Sequence, residues 1–390
     1  MTLRICVFTG TRADYGLLRT LVRAVEESDR AALLLVVSGS HLSVEHGLTS
    51  REILQDGVPI AAEIPIWSGG DTALSAGVDL GAAVSRYTEA LAALSPDVVV
   101  VLGDRLEALA MATAATVLSL PIAHIHGGEV TEGAMDDALR HAITKLSYLH
   151  FTSTAGHRER VIQLGEEPDR VFSLGSPAVD ALDAVDLLSE ERVSADFGVR
   201  LGRPTALVTF HPAAMDARDP VELVGEMLAA LDSVAGLGVI ITGTNSDIGS
   251  AGVRDEIARY VAEHAATADY VESFGNVGYL SAMAHSSVVV GNSSSVVLEA
   301  PLLGVPSVLV GDRQKGRPIA RSVLVPEPTA EGIAGALRTA LEPAFREVVD
   351  RRETPFGPPG FGRRALEIIL STTLPVPPRK RFWDLPRGVE

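Results

Sequence analysis

The chain has 390 residues, 46% of them apolar and 21% charged, enough to bury the cores of roughly two or three domains. Its formal net charge of −17 disfavours nucleic acid and anionic membranes as partners, because acidic surfaces repel phosphate groups. The single cysteine, Cys6, excludes an intrachain disulfide bond and a cysteine cage for a metal ion. Neither a membrane-spanning apolar run nor a signal-peptide pattern is evident, so we expect a cytoplasmic protein.

Short apolar runs alternate with segments of helical period along the whole chain. The first group of predicted strands comprises Arg4–Phe8, Leu33–Val37, Val98–Leu102, Ile122–Ile125, Leu149–Thr152 and Val171–Ser173. The second group comprises Ala206–Phe210, Val239–Thr242, Tyr270–Glu272, Val288–Val290, Ser307–Val310 and Ser322–Val325. These runs are apolar throughout rather than alternating, as in strands buried on both faces. They predict an α/β protein with two Rossmann-like, doubly wound domains.

The segment between the two groups predicts the domain junction, since Ser189–Ala195 is polar and charged. We assign residues 1–175 to an N-terminal domain and residues 176–370 to a C-terminal domain. The Pro-rich, basic stretch Pro375–Arg379 predicts that the tail, about 371–390, packs back on the first domain. Ligands of open α/β sheets bind at the carboxyl ends of the strands, so we expect the active site in the cleft between the domains.

The loop after the first strand, Thr9–Gly16, reads TGTRADYG. Glycine allows close backbone approach, and the following helix offers free N–H groups to an anion. Arg12 adds a planar fork for phosphate or carboxylate. A plain strand-to-helix turn with a solvated arginine explains the residues equally well.

Gly103-Asp104-Arg105 follows the very apolar run Val98–Leu102. An aspartate at the carboxyl end of a buried strand points into the expected ligand cleft. Capping of the next helix is an equally good role for Asp104, so this motif alone decides nothing.

The segment His124–His141 packs three histidines, four carboxylates and one arginine into 18 residues. Asp136 and Arg140, like Asp137 and His141, are one helical turn apart, which predicts two side-chain pairs. Such density at a strand end indicates general acid–base chemistry. Structural capping is one alternative, and a Zn or Mn site is another. We expect no metal, because no second cluster has clear ligand spacing.

His211 follows the first strand of the second group, within Phe210-His211-Pro212. Held beside proline, it can donate to a phosphate or act as an acid or base. A lone histidine is more often structural, so this residue carries little weight by itself.

The loop Gly291–Ser295 (GNSSS) precedes a predicted helix, Val296–Leu303, so its N–H and hydroxyl groups suit a phosphate. Glu299 can accept hydrogen bonds from a ribose diol. A serine-rich cap without a ligand is the alternative. Neither a P-loop nor a G-x-G-x-x-G fingerprint follows the first strand, which argues against an ATPase and an NAD-dependent dehydrogenase.

Taken together, these motifs resemble the hydrolysing UDP-N-acetylglucosamine 2-epimerases of the sialic-acid and legionaminic-acid branch. The matching segments are TGTRADYG, SGSHL (Ser38–Leu42), GDRLEALA (Gly103–Ala110), HIHGGEVTEGAMDD, RHAITKLSYLHF (Arg140–Phe151), FHP, GNSSS and GDRQKGR (Gly311–Arg317). The resemblance implies the glycosyltransferase-B architecture, no metal or nicotinamide cofactor, and a homodimer or homotetramer. It also implies loss of the C2 proton with UDP, then hydration of the 2-acetamidoglycal to the free manno-configured sugar.

The resemblance also assigns residues. Those expected to bind UDP or the sugar are Arg12, His41, Arg105, His211, Asn245, Ser293, Ser294, Ser295, Glu299 and Arg313. Those expected to be catalytic are Asp104, His126, Glu129, Asp136, Asp137 and Arg140.

Three departures from the family pattern matter. His126 stands where the sialic-acid-type enzymes have a catalytic Glu, and it resembles the legionaminic-acid relatives, whose substrate is a UDP-linked 2,4-diacetamido-trideoxy sugar. The loop before the aspartate pair is one residue longer, which leaves Asp136 and Asp137 as alternatives. The segment before Asn245 lacks the usual proline. Our hypothesis is that Asp104 and His126 share proton transfer, with Asp136 orienting or relaying.

Two other functions remain as alternatives. A glycosyltransferase of the same fold would move the sugar to an acceptor, but it does not need so many titratable groups around C2. A non-catalytic nucleotide-sugar sensor would bind UDP without consuming the donor. Turnover of a donor without any acceptor distinguishes the epimerase from the transferase, and tight binding without turnover indicates the sensor.

Overall fold

A computed structural model describes residues 2–43, 48–66, 72–130, 135–183, 185–212, 218–244 and 250–385. The chain divides into two compact units. The first comprises Met1–Asp183 and Phe356–Glu390, and the second comprises Ala184–Pro355. Each unit is a doubly wound α/β domain with its own parallel sheet.

The sheet of the first unit has the strand order β3-β2-β1-β4-β5-β6-β7, all parallel. Its strands are β1 (Leu3–Thr9), β2 (Ala31–Ser38), β3 (Ile60–Ile64), β4 (Val98–Leu102), β5 (Ile122–Ile125), β6 (Leu149–Thr152) and β7 (Val171–Ser173). The sequence prediction missed β3, because this edge strand alternates between half-exposed and exposed residues before the buried Ile64 and lacks the continuous apolar run of its neighbours.

The helices of the first unit cover both faces of this sheet, as expected for a doubly wound fold. They are α1 (Arg12–Glu26), α2 (Ser50–Gln55), α3 (Ala73–Leu94), α4 (Leu106–Val117), α5 (Met135–Leu146), α6 (Ala155–Gln163) and α7 (Pro177–Asp183). The central strand β4 is buried along its whole length, which explains its unbroken run of valines.

The second sheet is also parallel, in the order β10-β9-β8-β11-β12-β13. Its strands are β8 (Thr205–Thr209), β9 (Gly238–Thr242), β10 (Ala268–Val271), β11 (Val288–Gly291), β12 (Ser307–Leu309) and β13 (Val323–Leu324). Its helices are α8 (Glu190–Phe197), α9 (Pro220–Asp232), α10 (Ser250–Glu263), α11 (Gly275–Ala284), α12 (Glu299–Leu303), α13 (Ala330–Leu341) and α14 (Pro343–Asp350). Within the described ranges, no helix is long and apolar enough to cross a membrane.

The last helix, α15 (Phe361–Ser371), returns to the first unit. Phe361 and Ile369 are buried in the same core as Leu21 of α1. The carboxylate of Asp180 accepts hydrogen bonds from the backbone N–H groups of Phe361 and Gly362, each at 3.0 Å. The boundaries between the two units therefore lie at 183/184 and 355/356. The sequence analysis predicted boundaries at 175/176 and 370/371. The apolar face of α15 accounts for the second difference, because it needs the core of the first sheet.

The tail after α15 contacts the carboxyl end of α5. Lys380 donates to the carbonyl oxygens of Lys145 and Ser147 at 2.8 and 2.6 Å, and the N–H of Trp383 donates to Gly165 O at 2.9 Å. A cation at the carboxyl end of a helix satisfies carbonyl groups that have no partner within the helix. The tail thus caps the helix that carries Asp137 and Arg140.

Candidate active site

Each sheet reverses its winding between one pair of neighbouring strands. These pairs are β1 and β4 in the first unit and β8 and β11 in the second. Loops that leave adjacent strands in opposite directions open a crevice at the carboxyl edge, where doubly wound sheets bind ligands. The loops after these four strands carry Arg12, Asp104, His211 and the serine-rich loop, so the topology places these motifs at ligand-binding positions.

Arg140 is the centre of the group in the first unit. Its side chain is only 3% exposed, and it forms an ion pair with Asp104, in the loop after β4. It also donates to Asp137 Oδ1 at 3.0 Å and to Glu129 O at 2.8 Å. One buried guanidinium therefore ties α5 to the loops after β4 and β5, as its fixed fork of donors allows.

The two aspartates at the start of α5 have different surroundings. Asp137 contacts both Arg140 and His141, the latter at 3.4 Å from His141 Nε2 to Asp137 Oδ2. Asp136 is exposed and makes no ion pair with the described residues, although the sequence prediction paired it with Arg140. The reason is that Arg140 reaches inward to Asp104, away from the exposed side of the helix.

His124 braces this group from inside the sheet. It is fully buried, its Nε2 lies 2.8 Å from Gly103 O, and its Nδ1 lies 3.2 Å from Thr144 Oγ1. Burial lowers the pKa of His124 to about 3, so the ring is neutral and joins β5 to the turn before Asp104. Both ring nitrogens are occupied, and within the described ranges no group of three or more His, Cys, Asp or Glu could hold a metal ion.

His126 follows β5 with a backbone φ of +69°, a conformation that costs a non-glycine residue energy and that clusters at functional sites. Its Nδ1 lies 3.9 Å from Glu129 Oε1, and its Nε2 lies 3.4 Å from Ser176 Oγ. The side chain of His126 is 15% exposed. The turn therefore presents a partly accessible imidazole beside a carboxylate.

Behind Glu129 lie two residues that the sequence prediction missed. Ser153 Oγ is 2.6 Å from Glu129 Oε1 and 2.8 Å from Nδ1 of His157. Both residues follow β6, so their position after a strand was the available signal. The sequence around Ser153 and His157 contains no recognisable motif, and only the fold brings these residues to Glu129.

The charge on Glu129 depends on these neighbours. Burial acts to raise the pKa of Glu129, but His126, the Ser153 hydroxyl, His157 and Arg140 outweigh it and hold the pKa below its ordinary value. Burial lowers the pKa of His157, while Glu129 opposes that shift. At neutral pH the structure therefore favours an ionised Glu129 and a neutral His157.

The other expected ligands of the first unit differ in exposure. Arg12 is 66% exposed and pairs with Glu52 at 3.1 Å, and Arg105 is 52% exposed, 4.0 Å from Glu107. Surface pairs of this kind are weak, so both guanidinium groups are available to an anionic ligand.

His41 is instead enclosed in the first unit. It is fully buried, with Nε2 at 2.9 Å from Thr9 Oγ1 and Nδ1 at 2.9 Å from Thr49 Oγ1. Burial lowers the pKa of His41 to about 4. His41 is therefore positioned to support the loop after β1. The sequence analysis expected His41 to bind the substrate.

In the second unit, His211 and Asn292 join the loops after β8 and β11. The N–H of His211 donates to Asn292 Oδ1 at 2.8 Å, and Asn292 Nδ2 donates to His211 O at 2.7 Å. Gly291 precedes this pair at φ +137°, and a Cβ there would lie 1.9 Å from Thr209 O. Only glycine permits this approach. Arg313 donates to Asn292 O at 3.3 Å, which adds the loop after β12 to the group.

A chain of hydroxyl groups supports the serine-rich loop. Tyr279 Oη lies 2.9 Å from Thr209 Oγ1 and 2.8 Å from Ser295 Oγ, and Ser295 Oγ donates to Ser293 Oγ at 3.1 Å. Ser293 and Ser294 are half-exposed. The loop therefore has a fixed inner hydroxyl, Ser295, and two outer ones that a ligand can reach.

The helix predicted over Val296–Leu303 is wrong in its extent. A 3-10 turn covers Ser294–Val296, and α12 begins only at Glu299. The Ser307 hydroxyl donates to Val296 O at 2.8 Å, so this carbonyl is engaged outside any helix. Glu299 Oε2 is buried and has no hydrogen-bond partner among the described residues, and burial raises the pKa of this carboxyl. Asn245 lies outside the described residues, as does Glu132, one of the four carboxylates of the segment His124–His141.

Two doubly wound units, with acid–base groups at one switch point and a serine-rich loop at the other, define an α/β protein of the glycosyltransferase-B type. The chain belongs to the UDP-N-acetylglucosamine 2-epimerase family, whose model matches residues 23–370. It is 34% identical over 314 residues to a GDP/UDP-N,N'-diacetylbacillosamine 2-epimerase (hydrolyzing) of Campylobacter jejuni, which covers 80% of this chain and 82% of that protein.

A UDP-N,N'-diacetylbacillosamine 2-epimerase (hydrolyzing) of Legionella pneumophila is 32% identical over 341 residues, 87% of this chain and 89% of that protein. Among solved structures, the UDP-GlcNAc 2-epimerase of Neisseria meningitidis bound to UDP-GlcNAc is similar with a TM-score of 0.77 at 16% identity. The match covers 95% of this chain and 100% of that chain. These comparisons confirm the family resemblance and the glycosyltransferase-B-like fold.

Proposed function

We propose that this protein is a hydrolysing 2-epimerase of a UDP-linked 2-acetamido sugar, releasing UDP and the free manno-configured sugar. One observation carries the proposal: Arg140 joins Asp104 and Asp137 at the carboxyl edge of the first sheet, beside the His126–Glu129 pair. Membership of the epimerase family supplies the reaction that such a group serves. A transferase or a sensor has no comparable need for these acids and bases.

The proposed chemistry has two steps. A base removes the C2 proton, the C1–O bond to UDP breaks, and the electron pair of the C–H bond becomes the C1=C2 double bond of a 2-acetamidoglycal. Water then adds at C1, and an acid returns a proton to C2 on the opposite face. We assign the two proton transfers to Asp104 and His126, with Arg140 orienting Asp104 and stabilising negative charge.

Asp137 takes the orienting role that the sequence hypothesis gave to Asp136. It shares Arg140 with Asp104, whereas Asp136 is exposed. The second unit would hold UDP, with the outer hydroxyls of Ser293 and Ser294 and the guanidinium of Arg313 on the phosphates and Glu299 on the ribose. Asn245 belongs to the same proposal.

The substrate class follows from His126. A histidine at this position resembles the legionaminic-acid relatives, and the two relatives described above carry names of diacetylbacillosamine epimerases. We therefore propose the UDP-2,4-diacetamido-trideoxy sugar as the better substrate and UDP-N-acetylglucosamine as the poorer one. A homodimer or homotetramer and a cytoplasmic location are further parts of the proposal, which light scattering and cell fractionation test.

The test is incubation with each donor in D2O containing EDTA, followed by proton and phosphorus NMR. The expected result is UDP together with a manno-configured sugar deuterated at C2, faster from the diacetamido donor. Transfer only when an acceptor sugar is added would support a glycosyltransferase. Binding of UDP with both donors intact would support a sensor.

A further inference from the structure

In the proposed reaction, the catalytic acid must regain a proton between turnovers. Because the configuration at C2 inverts, the group that removes a proton and the group that returns one lie on opposite faces of the sugar. Each turnover therefore leaves the acid without its proton, and solvent must recharge it before the next turnover. The inference below rests on the proposed function.

We propose that His157, Ser153 and Glu129 form a proton relay that recharges the acid of the site from solvent. The three groups are in series: His157 Nδ1 is 2.8 Å from Ser153 Oγ, and Ser153 Oγ is 2.6 Å from Glu129 Oε1. Glu129 Oε1 in turn lies 3.9 Å from His126 Nδ1, a distance that one bridging water would span.

The hydrogen-bond inventory fixes the direction of this chain. An ionised carboxylate only accepts, so the single hydroxyl proton of Ser153 points to Glu129. His157 must then donate its Nδ1–H to Ser153 Oγ, which leaves Nε2 as the basic nitrogen. No described residue bonds to Nε2, and His157 is 8% exposed, so solvent is the partner left to Nε2.

The relay balances as follows. A solvent proton binds to His157 Nε2, the Nδ1 proton moves to Ser153 Oγ, and the Ser153 hydroxyl proton moves to Glu129 Oε1. Glu129 passes that proton to His126. His157 is then restored when its ring turns toward solvent, where water protonates Nδ1 and takes the proton from Nε2. Only bonds to hydrogen form and break in the relay, and no oxidant or further reactant is needed.

The surroundings keep the chain in place. Ser153 is 1% exposed, and the guanidinium of Arg160 donates to Gly128 O, next to Glu129. Gly128 has φ +80°, and a Cβ there would lie 2.3 Å from His157 O, so the Glu129 loop and α6 pack in direct contact. The charged and titratable groups facing His157 are Glu129, Arg160, His126 and Arg140, of which only Glu129 favours its protonation.

The experiment compares four variants of the full chain. His157→Asn keeps a donor near the Nδ1 position but cannot bind a proton, Ser153→Ala removes the hydroxyl, and Ser153→Thr keeps it. His264→Asn is the matched control, because His264 also pairs with a carboxylate, Asp232 at 3.1 Å, but belongs to the second unit.

For the relay we expect His157→Asn and Ser153→Ala to show a normal first turnover in rapid quench, followed by a steady state slower by about tenfold or more. Imidazole buffer at increasing concentration should restore their kcat, with KM unchanged, while Ser153→Thr and His264→Asn behave like wild type. A slow first turnover without rescue by buffer would mean that Ser153 and His157 only position Glu129, and the relay would be overturned. Unchanged kcat in both variants would overturn it as well.

A measurement without turnover separates this inference from the proposed function. Nitrogen-15 NMR of the imidazoles should find His157 as the Nδ1–H tautomer in wild type. If no donor is consumed but this tautomer is present, the proposed reaction fails and the hydrogen-bonded chain stands. The Nε2–H tautomer would overturn the relay whatever the activity.

Discussion

Arg140 of α5 and Asp104 after β4 form an ion pair whose arginine is 97% enclosed and whose aspartate keeps 26% of its side chain exposed. The cation is the buried partner and the carboxylate is the accessible one. A buried guanidinium is stable only while its partners remain, so this pair fixes the position of Asp104 while leaving it reachable.

Arg140→Lys should lower kcat by ~10²-fold with a smaller effect on stability, because lysine keeps the charge but cannot reach Asp104, Asp137 and Glu129 O together. The measurement is UDP release by NMR, with thermal unfolding alongside. Arg259→Lys is the control, since Arg259 is exposed and its ion pairs, with Glu256 and Glu263, lie at the surface of α10. Equal kcat in Arg140→Lys and wild type would contradict the proposed role.

The two aspartates of α5 give a second test. Asp137→Asn should lower kcat by ~10-fold or more, because Arg140 and His141 lose their shared carboxylate. Asp136→Asn should stay within about twofold of wild type, as expected for an exposed side chain. The two variants carry the same chemical change at neighbouring positions, so each is the control for the other. The reverse order of effects would return the role to Asp136.

The acid stability of the first unit should depend on Glu166. Burial alone would raise the pKa of Glu166, but His150, Lys145 and Lys380 outweigh it and lower the pKa to about 2. A carboxyl group with a folded pKa below its ordinary value stabilises the fold above pH ~4.5 and loses that contribution as the pH falls toward 2. The contribution is on the order of 2–3 kcal/mol for this almost fully buried group.

Urea unfolding of wild type at pH 7, 4.5 and 3 should therefore show a steep loss of unfolding free energy below pH 4.5. Glu166→Gln should be less stable at pH 7 and flatter over the same range. Glu89→Gln, at an exposed position of α3, should follow wild type. Parallel curves for Glu166→Gln and wild type would show that Glu166 carries no such linkage.

The sequence predicted what depends on strand position and missed what depends on packing. Asp104 and His126 directly follow strands whose apolar runs are unmistakable, so their place at the carboxyl edge was predictable. The choice between Asp136 and Asp137 was not, because helical spacing allows either to meet Arg140 and only the position of Asp104 decides. Ser153 reaches Glu129 across 24 residues of chain, a contact that no local pattern encodes.

We expect Glu299 to lower the stability of the free protein and to strengthen the binding of UDP. Its Oε2 is buried without a partner among the described residues, and burial raises its pKa, so the free protein carries an unpaired buried carboxyl that costs roughly 1–3 kcal/mol. A ribose diol would supply the missing donors. Glu299→Gln should therefore raise the melting temperature of the free protein by a few degrees and weaken UDP binding by about tenfold, measured by calorimetry.

Ser294→Ala, which removes an outer hydroxyl of the same loop, should weaken UDP binding without the gain in melting temperature. A Glu299→Gln variant that binds UDP like wild type would remove Glu299 from the nucleotide site and leave its buried oxygen as a structural defect of the fold.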